Sequence, residues 1–316
     1  MSTRPARRPF KSLAIFACLI VFVVFALCVT SVMTGTSAIV GLCVDNYTVN
    51  NSSANTLTQH IRWPLSSSPI SALRFYTYAS TESKAWVNAA LSSGRYQVLV
   101  GIDIFKEQQE QLSALAALPL VQRDRIMGVV IGNEYEIKDI PLVLQTIALA
   151  RKVLPKTLVT TALKNSGDWF TTTWPVEKAK LTDNAQTLLA AVDVLSVNIY
   201  TCFSKDELVA QTGSVAGAVT AATSFQPKSV IVNTISAIRH AMGPEKRLWV
   251  TEIGWPTDGG DTDWSSLINA QRFYQSFRAY RAADAIFYFG ARDVVDEHQY
   301  FGLFTADTTK FVSKFA

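Results

Sequence analysis

The amino-acid sequence predicts an α/β chain: a (β/α)8 TIM barrel preceded by one N-terminal membrane-spanning or signal segment. Eight short apolar runs recur between Ala38 and Phe289, and longer segments with helical spacing separate them. The runs are continuously apolar, which is typical of strands covered on both faces. Repeated strand–helix alternation indicates parallel strands joined by crossovers, and eight such units in about 280 residues match the usual size of this barrel.

The eight apolar runs are the predicted strands. In chain order they are Ala38–Val44, Ile70–Tyr76, Tyr96–Ile102, Ile126–Ile131, Thr157–Ala162, Val192–Tyr200, Leu248–Ile253 and Ala285–Phe289. A doubly wound open sheet is the alternative architecture. It usually has fewer strands and a Gly-rich first turn, and the sequence contains no G-x-G-x-x-G motif.

Helical spacing is clearest in three of the intervening segments. Glu82–Leu91 follows Ser80, a residue suited to cap its start, and Leu142–Leu154 stops at Pro155, where a helix should end. Ser265–Tyr280 is the third predicted helix. The segment Cys202–Lys228, rich in Ser, Thr, Ala and Gly, is expected to hold one helix and a loop beside the cleft.

The N-terminal residues differ in character from the rest. Four basic side chains and no acid occupy residues 1–12, and an apolar segment follows over residues 13–33. A membrane-spanning helix needs roughly 17–25 apolar residues, whereas the apolar core of a cleaved signal peptide usually has about 7–15. We therefore expect a signal-anchor with its basic end in the cytoplasm and the barrel, residues 38–316, outside the cell. A cleaved signal peptide, which would release the barrel to the cell wall, is the alternative.

Two further features bear on export. Three N-glycosylation sequons begin at Asn46, Asn50 and Asn51. Outside the apolar segment the cysteines are Cys43 and Cys202, which either pair or stay free; buried free thiols are the expectation.

The charge of the chain argues against a nucleic-acid surface. The formal net charge is +4, from 29 basic and 25 acidic residues, and four of the basic residues lie in residues 1–12. The remainder therefore holds 25 of each sign, without the basic excess that nucleic-acid binding needs.

We expect a monomer.

Two predicted strands lead into a carboxylate. Glu134 follows the apolar run Ile126–Ile131, and Glu252 lies near the end of Leu248–Ile253. An ionised carboxylate is costly to bury without partners, so acids in this place indicate chemistry. Because catalytic groups of such barrels lie at the C-terminal ends of strands, both acids are expected in one cleft.

Other strand ends carry polar and aromatic side chains. Arg74 and Tyr76 end the second strand, Asn198 and Tyr200 the sixth, and Phe289 the eighth. This inventory suits a carbohydrate site, where acids act on the glycosidic bond, amides bind hydroxyl groups, and flat rings cover apolar sugar faces.

The two acidic motifs resemble the catalytic signatures of glycoside hydrolase family 17. These motifs are Val130-Ile131-Gly132-Asn133-Glu134 and Val250-Thr251-Glu252-Ile253-Gly254-Trp255-Pro256, and Leu73-Arg74-Phe75-Tyr76, Val197-Asn198-Ile199-Tyr200 and Tyr300-Phe301-Gly302-Leu303-Phe304 agree in order. The resemblance covers Val40 to Phe304. It implies a retaining β-1,3-glucanase or glucanosyltransferase that acts on β-glucan without a cofactor. Glu134 would be the general acid/base and Glu252 the nucleophile.

The resemblance, together with residue chemistry, suggests roles for the neighbours of this pair. Arg74 would keep Glu252 charged, Asn133 would hold the sugar 2-OH, and Tyr200 would hydrogen-bond the nucleophile or the ring oxygen. Tyr76, Tyr135 and Trp255 are expected to line the groove as stacking surfaces. The alternatives are structural: Arg74 as an ion-pair partner, and the tyrosines as core residues.

One region departs from the family pattern. After the eighth strand the family has two acids and then a lysine, which help to bind the sugar next to the cut. Here Asp293 is expected to replace the first acid, the second position is Val294, and no lysine follows in register. Either Asp296 or Glu297 takes the second place after a loop shift, or this subsite is rebuilt.

Three functions remain open from the sequence. They are hydrolysis of cell-wall β-1,3-glucan, transfer of glucan chains by the same glutamates, and glucan binding by an inactive barrel. His60, His240 and His298 show no ligand spacing, so no metal site is expected, and no G-x-S-x-G motif supports a serine esterase.

Overall fold

The computed structural model describes residues 38–45, 70–171, 175–259, 261–294, 300–305 and 313–315. The basic tail, the apolar segment 13–33, the three sequons, and the acids Asp296 and Glu297 lie outside these ranges. Within them, no helix combines the length and apolar character that crossing a bilayer requires.

Eight parallel strands form a closed barrel in the order of the sequence, β1 to β8, and β8 pairs with β1. The predicted TIM barrel is thus confirmed. The strands are β1 Ile39–Val44, β2 Ala72–Phe75, β3 Gln97–Ile102, β4 Ile126–Asn133, β5 Val159–Lys164, β6 Val194–Ile199, β7 Arg247–Ile253 and β8 Ala285–Tyr288.

Nine α-helices lie in the described part of the chain. They are α1 Thr81–Ser92, α2 Gln108–Ala116, α3 Leu120–Arg123, α4 Ile140–Val153, α5 Asp183–Ala191, α6 Lys205–Thr212, α7 Val215–Thr223, α8 Val230–Met242 and α9 Leu267–Ala279. The three helices predicted from spacing correspond to α1, α4 and α9. Short 3-10 turns occupy Ile137–Asp139, Val176–Lys178 and Thr201–Ser204.

Local residues set the ends of these helices. Ser80 accepts a hydrogen bond from the Ser83 amide at 3.0 Å, and the Ser83 hydroxyl accepts one from the Ser80 amide at 3.0 Å. This reciprocal pair satisfies two amides that the first turn of α1 leaves without helical partners.

The segment Cys202–Lys228 holds two α-helices, not the single one predicted. Gly213 ends α6 with φ +76°, and Ser214 caps α7 by accepting a hydrogen bond from the Gly217 amide at 3.1 Å. A left-handed residue followed by an N-cap breaks what sequence spacing presents as one helix.

Large side chains fill the barrel interior. Trp249 and Phe287 lie there with smaller residues from the other strands. A Cβ added at Gly41 would come within 2.2 Å of the Phe287 ring, and one at Gly128 within 3.0 Å of Trp249. Glycine on these strands therefore makes room for the two rings. The second cluster of core residues lies between strands and helices.

Cys43 and Cys202 are both buried free thiols, as expected from the sequence. Burial raises the pKa of each to about 12, so both stay protonated.

Candidate active site

Glu134 and Glu252 line a single cleft of about 520 Å³ at the C-terminal ends of the strands. The cleft is lined by Asp45, Tyr76, Asn133, Glu134, Lys164, Asn165, Asn198, Tyr200, Phe203, Ser204, Glu252, Phe289 and Phe301.

An irregularity at the end of β4 presents two consecutive side chains to this cleft. In a regular strand Asn133 and Glu134 would face opposite sides. The β4–β5 register shifts between Val130 and Asn133, Gly132 has φ +70°, and Glu134 has φ +48°. A non-glycine residue in this left-handed region costs of order 1–3 kcal/mol. The strain thus coincides with the placement of both side chains in the cleft.

Among the residues that the structure describes, two donate hydrogen bonds to the Glu252 carboxylate. Arg74 Nη1 donates to Glu252 Oε1 at 2.8 Å, and the Tyr200 hydroxyl donates to Oε2 at 2.6 Å. The side chains of Arg74 and Glu252 are only 1% and 6% exposed. The guanidinium and the phenol therefore hold both oxygens of this buried carboxylate in place.

The two terminal nitrogens of Arg74 also contact three other oxygens of the site. Nη1 also contacts the Thr251 carbonyl at 2.8 Å and Asn198 Oδ1 at 3.4 Å, and Nη2 donates to Asn133 Oδ1 at 2.7 Å. The guanidinium is therefore fixed between three strands.

Asn198 links the two carboxylates. Its Nδ2 donates to Glu134 Oε1 at 2.9 Å and to Asn133 Oδ1 at 3.1 Å. Its Oδ1 accepts from Thr251 Oγ1 at 2.8 Å as well as from Arg74. A chain of contacts thus runs from Glu134 through Asn198 and Arg74 to Glu252.

The two acids have different environments. Partial burial, and then the negative charge of Glu252, raise the pKa of Glu134 above its ordinary value, against the opposing effects of Asn198, Lys164 and Arg74. Such an asymmetric pair can supply one proton donor and one nucleophile. Burial and Glu252 hold the pKa of Tyr200 well above its usual range, so its hydroxyl remains a donor.

Aromatic rings form one wall of the cleft. Phe301 packs against Tyr200 and Phe289 with ring centroids 5.7 Å away in both cases. Phe203 lies 5.5 Å from Tyr200 and is 76% exposed. Tyr76 contacts Phe289 at 6.4 Å. An apolar wall opposite polar groups is a surface on which sugar rings can stack.

Two predicted stacking residues do not lie in this wall. The prediction for Trp255 is wrong, because the ring is fully buried, packs on Trp264 at 4.8 Å and donates to the Trp264 carbonyl at 3.0 Å. Tyr135 is also a core residue: its hydroxyl contacts Thr161 Oγ1 at 2.8 Å, and its ring packs on Trp169. Tyr76, by contrast, lines the cleft.

Asp293 does not reach the cleft either. Both carboxylate oxygens accept from Lys314 Nζ, at 2.7 and 2.9 Å, and Oδ1 also accepts from the Gly302 amide at 2.9 Å. The prediction that it binds sugar in place of the first family acid is therefore wrong, because its oxygens are committed to groups outside the lining of the cleft.

Some lining residues were missed. Lys164 is the last residue of β5, which extends two residues beyond the predicted end at Ala162, and Asn165 follows it. The rule that strand ends carry the site would have found them with the correct strand boundary. Phe203 lies in the segment predicted beside the cleft.

No metal-binding cluster appears in the described ranges, since no three His, Cys, Asp or Glu side chains gather suitably there.

The fold is shared with known carbohydrate-active barrels. CJP38, a β-1,3-glucanase and allergen of Cryptomeria japonica pollen, superposes with a TM-score of 0.65 at 16% identity, over 89% of this chain and 99% of that chain. A plant β-glucan endohydrolase gives 0.61 at 19% identity, over 84% and 96%. An endo-laminarinase from Formosa Hel1_33_131 gives 0.59 at 15% identity, over 85% and 83%.

Sequence comparison gives the family. No curated protein shows significant sequence similarity to the chain. Residues 41–302, well over half of its length, match the model of the BtgE/BtgC glycoside hydrolase domain. The chain therefore belongs to the BtgE/BtgC family of glycoside hydrolases.

Proposed function

We propose that the protein is a retaining glycoside hydrolase that cleaves β-1,3-glucosidic bonds of cell-wall glucan by double displacement. Glu252 is the nucleophile and Glu134 the general acid/base. The observation that carries the proposal is the contact chain Glu134–Asn198–Arg74–Glu252, which connects two carboxyl groups with different hydrogen-bond partners in one cleft. Retention requires such a pair, with carboxyls about 5–5.5 Å apart.

In the first step Glu252 attacks the anomeric carbon. Arg74 and Tyr200 hold its two oxygens, so the attacking carboxylate is oriented before the substrate arrives. Glu134, whose pKa is raised, donates its proton to the departing glycosidic oxygen. The products of this step are a glycosyl ester on Glu252, an ionised Glu134 and a released glucan end.

In the second step water attacks the ester. Glu134 takes a proton from the water, the bond from the anomeric carbon to Glu252 breaks, and Glu252 leaves as a carboxylate. The configuration at the anomeric carbon is retained, because both displacements invert it. Asn198, which donates to Glu134, stabilises the ionised form of this acid between the two steps.

The cleft suits a neutral polysaccharide. Its aromatic wall covers apolar sugar faces, and Asn133, whose Oδ1 is held by Arg74, can direct its Nδ2 donors to the sugar 2-OH. The β-1,3 linkage is inferred from the sequence motifs and is consistent with structural neighbours named as a β-1,3-glucanase and a laminarinase.

Glucanosyl transfer by the same glutamates is the second candidate. The exposed ring of Phe203 at the cleft offers a second sugar a stacking surface, and a sugar hydroxyl bound there would compete with water. An inactive glucan-binding barrel has less support, because both carboxyl groups line the cleft. From the sequence we also place the catalytic domain outside the cell, either anchored by residues 13–33 or secreted.

The test is incubation of the full chain with β-1,3-, β-1,4- and mixed-linkage oligosaccharides, with product sizing and NMR of the first-formed anomer. We expect shortened β-1,3 products of retained configuration. Glu252→Gln should abolish turnover, and Glu245→Gln, at an exposed glutamate before β7, should leave it unchanged. Products longer than the input would favour transfer. Inverted products, or full activity of Glu252→Gln, would refute the mechanism.

A further inference from the structure

The segment after β8 is joined to two other parts of the barrel by a single ammonium group. Lys314 Nζ donates to Asp293 Oδ1 at 2.7 Å, to Asp293 Oδ2 at 2.9 Å and to Thr257 Oγ1 at 2.6 Å. Thr257 follows the nucleophile strand β7, and Asp293 follows β8. The Lys314 and Asp293 side chains are only 15% and 12% exposed, so their charges depend on each other for compensation.

Asp293 and Thr257, the two partners of Lys314, also form hydrogen bonds with the segment that carries Phe301. Asp293 Oδ1 accepts from the Gly302 amide at 2.9 Å, and Thr257 donates its hydroxyl to the Tyr300 carbonyl at 2.6 Å. The Thr257 amide donates to the same carbonyl at 2.7 Å. The residues on either side of Phe301 are therefore fixed by groups that Lys314 holds.

The backbone of the segment that carries Phe301 packs directly against the segment after β8. A Cβ at Gly302 would approach the Arg292 carbonyl carbon and the Asp293 nitrogen to 2.2 Å, so the two backbones are in direct contact. The Lys314 amide also donates to the Leu303 carbonyl at 2.9 Å, and Phe315 is fully buried against Tyr274. The backbone around Lys314 is thus anchored to the rest of the barrel, so its ammonium group is held in a defined place.

Phe301 connects this segment to the cleft and to Glu252. Its ring lines the cleft and packs edge-on against Tyr200, whose hydroxyl donates to Glu252. A displacement of the Phe301 backbone would move the apolar wall with respect to the nucleophile.

We propose that Lys314 is a positioning residue, which sets the aromatic wall at Phe301 through Asp293 and Thr257 and so determines how tightly glucan binds. In this proposal Asp293 helps to fix the position of the aromatic wall, and the wall contacts the sugar. This inference rests on the proposed glucanase function.

The test compares the steady-state kinetics of the Lys314→Met variant and the unmodified protein, both as the full chain, on laminarin-type oligosaccharides. We expect KM to rise between about two- and tenfold, the range that one aromatic contact accounts for, with kcat within twofold of the unmodified value. Lys314→Arg, which keeps a charged donor, should recover most of the KM. Lys152→Met, at an exposed lysine in the last turn of α4, is the matched control and should leave both constants unchanged.

A double-mutant cycle separates action through the wall from a general loss of stability. If Lys314 acts through Phe301, Lys314→Met should add little to the KM increase of Phe301→Ala, because the ring it positions is gone. Fully additive effects, or an unchanged KM in Lys314→Met, would overturn the proposal. Should Lys314→Met fail to fold, Thr257→Val removes one link while keeping the buried ion pair, and the same cycle applies. An unmodified chain without activity on β-1,3-glucan would refute the proposed function instead, whatever the variants do.

Discussion

Arg74 is the residue whose removal should most strongly affect Glu252, the proposed nucleophile. Arg74→Met keeps a long apolar stem but deletes four polar contacts, of which the closest to the chemistry is the 2.8 Å bond to Glu252. Glu252 then keeps Tyr200 as its one charge-stabilising donor among the described contacts. Breaking a buried ion pair by removing one partner costs about 3–5 kcal/mol.

That cost has two measurable consequences. If it falls on the reactive, ionised form of Glu252, kcat drops by roughly 140- to 4,000-fold, at about 1.4 kcal/mol per factor of ten. If it falls on the folded state, Tm drops by roughly 2–4 °C for each kcal/mol. Steady-state hydrolysis of laminarin and thermal unfolding of the same sample measure both.

The controls identify the buried charge as the cause. Arg74→Met with Glu252→Gln removes both charges and should unfold at a higher temperature than Arg74→Met alone. Arg151→Met breaks the more exposed pair with Asp193, with side chains 44% and 29% exposed, and should cost less than about 1 kcal/mol. If Arg74→Met retains kcat within threefold and the Tm of the unmodified protein, Arg74 does not support Glu252 in catalysis or in the folded state.

Three further predictions concern neighbours of the pair. Lys164→Met removes a charge that lowers the pKa of Glu134, so this pKa should rise further and the alkaline limb of the kcat/KM profile should move to higher pH; Lys164→Arg should leave the limb in place, and a shift to lower pH would contradict the sign. Tyr200→Phe deletes the 2.6 Å hydrogen bond to Glu252, and bonds to charged groups contribute about 1.5–3 kcal/mol. If that energy is lost from the reactive form of Glu252, kcat should fall about 10- to 150-fold; an unaltered kcat in stopped assays would exclude this role. Trp255→Phe should lower Tm, because packing and the hydrogen bond to the Trp264 carbonyl are lost, while kcat and KM measured well below Tm stay within about twofold. A large increase in KM would show instead that Trp255 contacts the substrate.

The barrel was predictable because its strands are buried on both sides. Continuous apolar runs mark such strands, and the structure confirms all eight. The strand ends were harder, since β4 and β5 run beyond their predicted ends and each finishes in a polar residue, Asn133 and Lys164. Apolar character stops where a strand meets the cleft, so the sequence pattern ends before the hydrogen-bonded ladder does.

The two carboxylates were found, but their surroundings were found only in part. Glu134 and Glu252 stand out because acids seldom follow apolar strands. The bridging position of Asn198 depends on register shifts, where β6 meets β7 and at the end of β4, that place side chains against strict alternation. Such shifts leave no clear mark in a single sequence.

Trp255 and Asp293 show why motif position alone misleads. After Glu252 the chain packs so closely that a Cβ at Gly254 would meet the Phe289 carbonyl oxygen at 2.3 Å, and Trp255 is buried in the core. Asp293 finds its partner in Lys314, 21 residues later. Both outcomes depend on contacts between distant segments.

The bridge formed by Asn198 has a consequence for the electrostatics of turnover. Under the proposed mechanism the resting site carries one negative charge on Glu252, and the glycosyl-enzyme carries one negative charge on Glu134. The total charge of the site is therefore the same before and after the first step, and only its location changes. Asn198 donates to one of these positions and lies next to Arg74, which holds the other, so the fixed dipoles and the guanidinium face both ends of the transfer. A site built in this way passes a unit charge between two carboxylates with little need for solvent to reorganise around it.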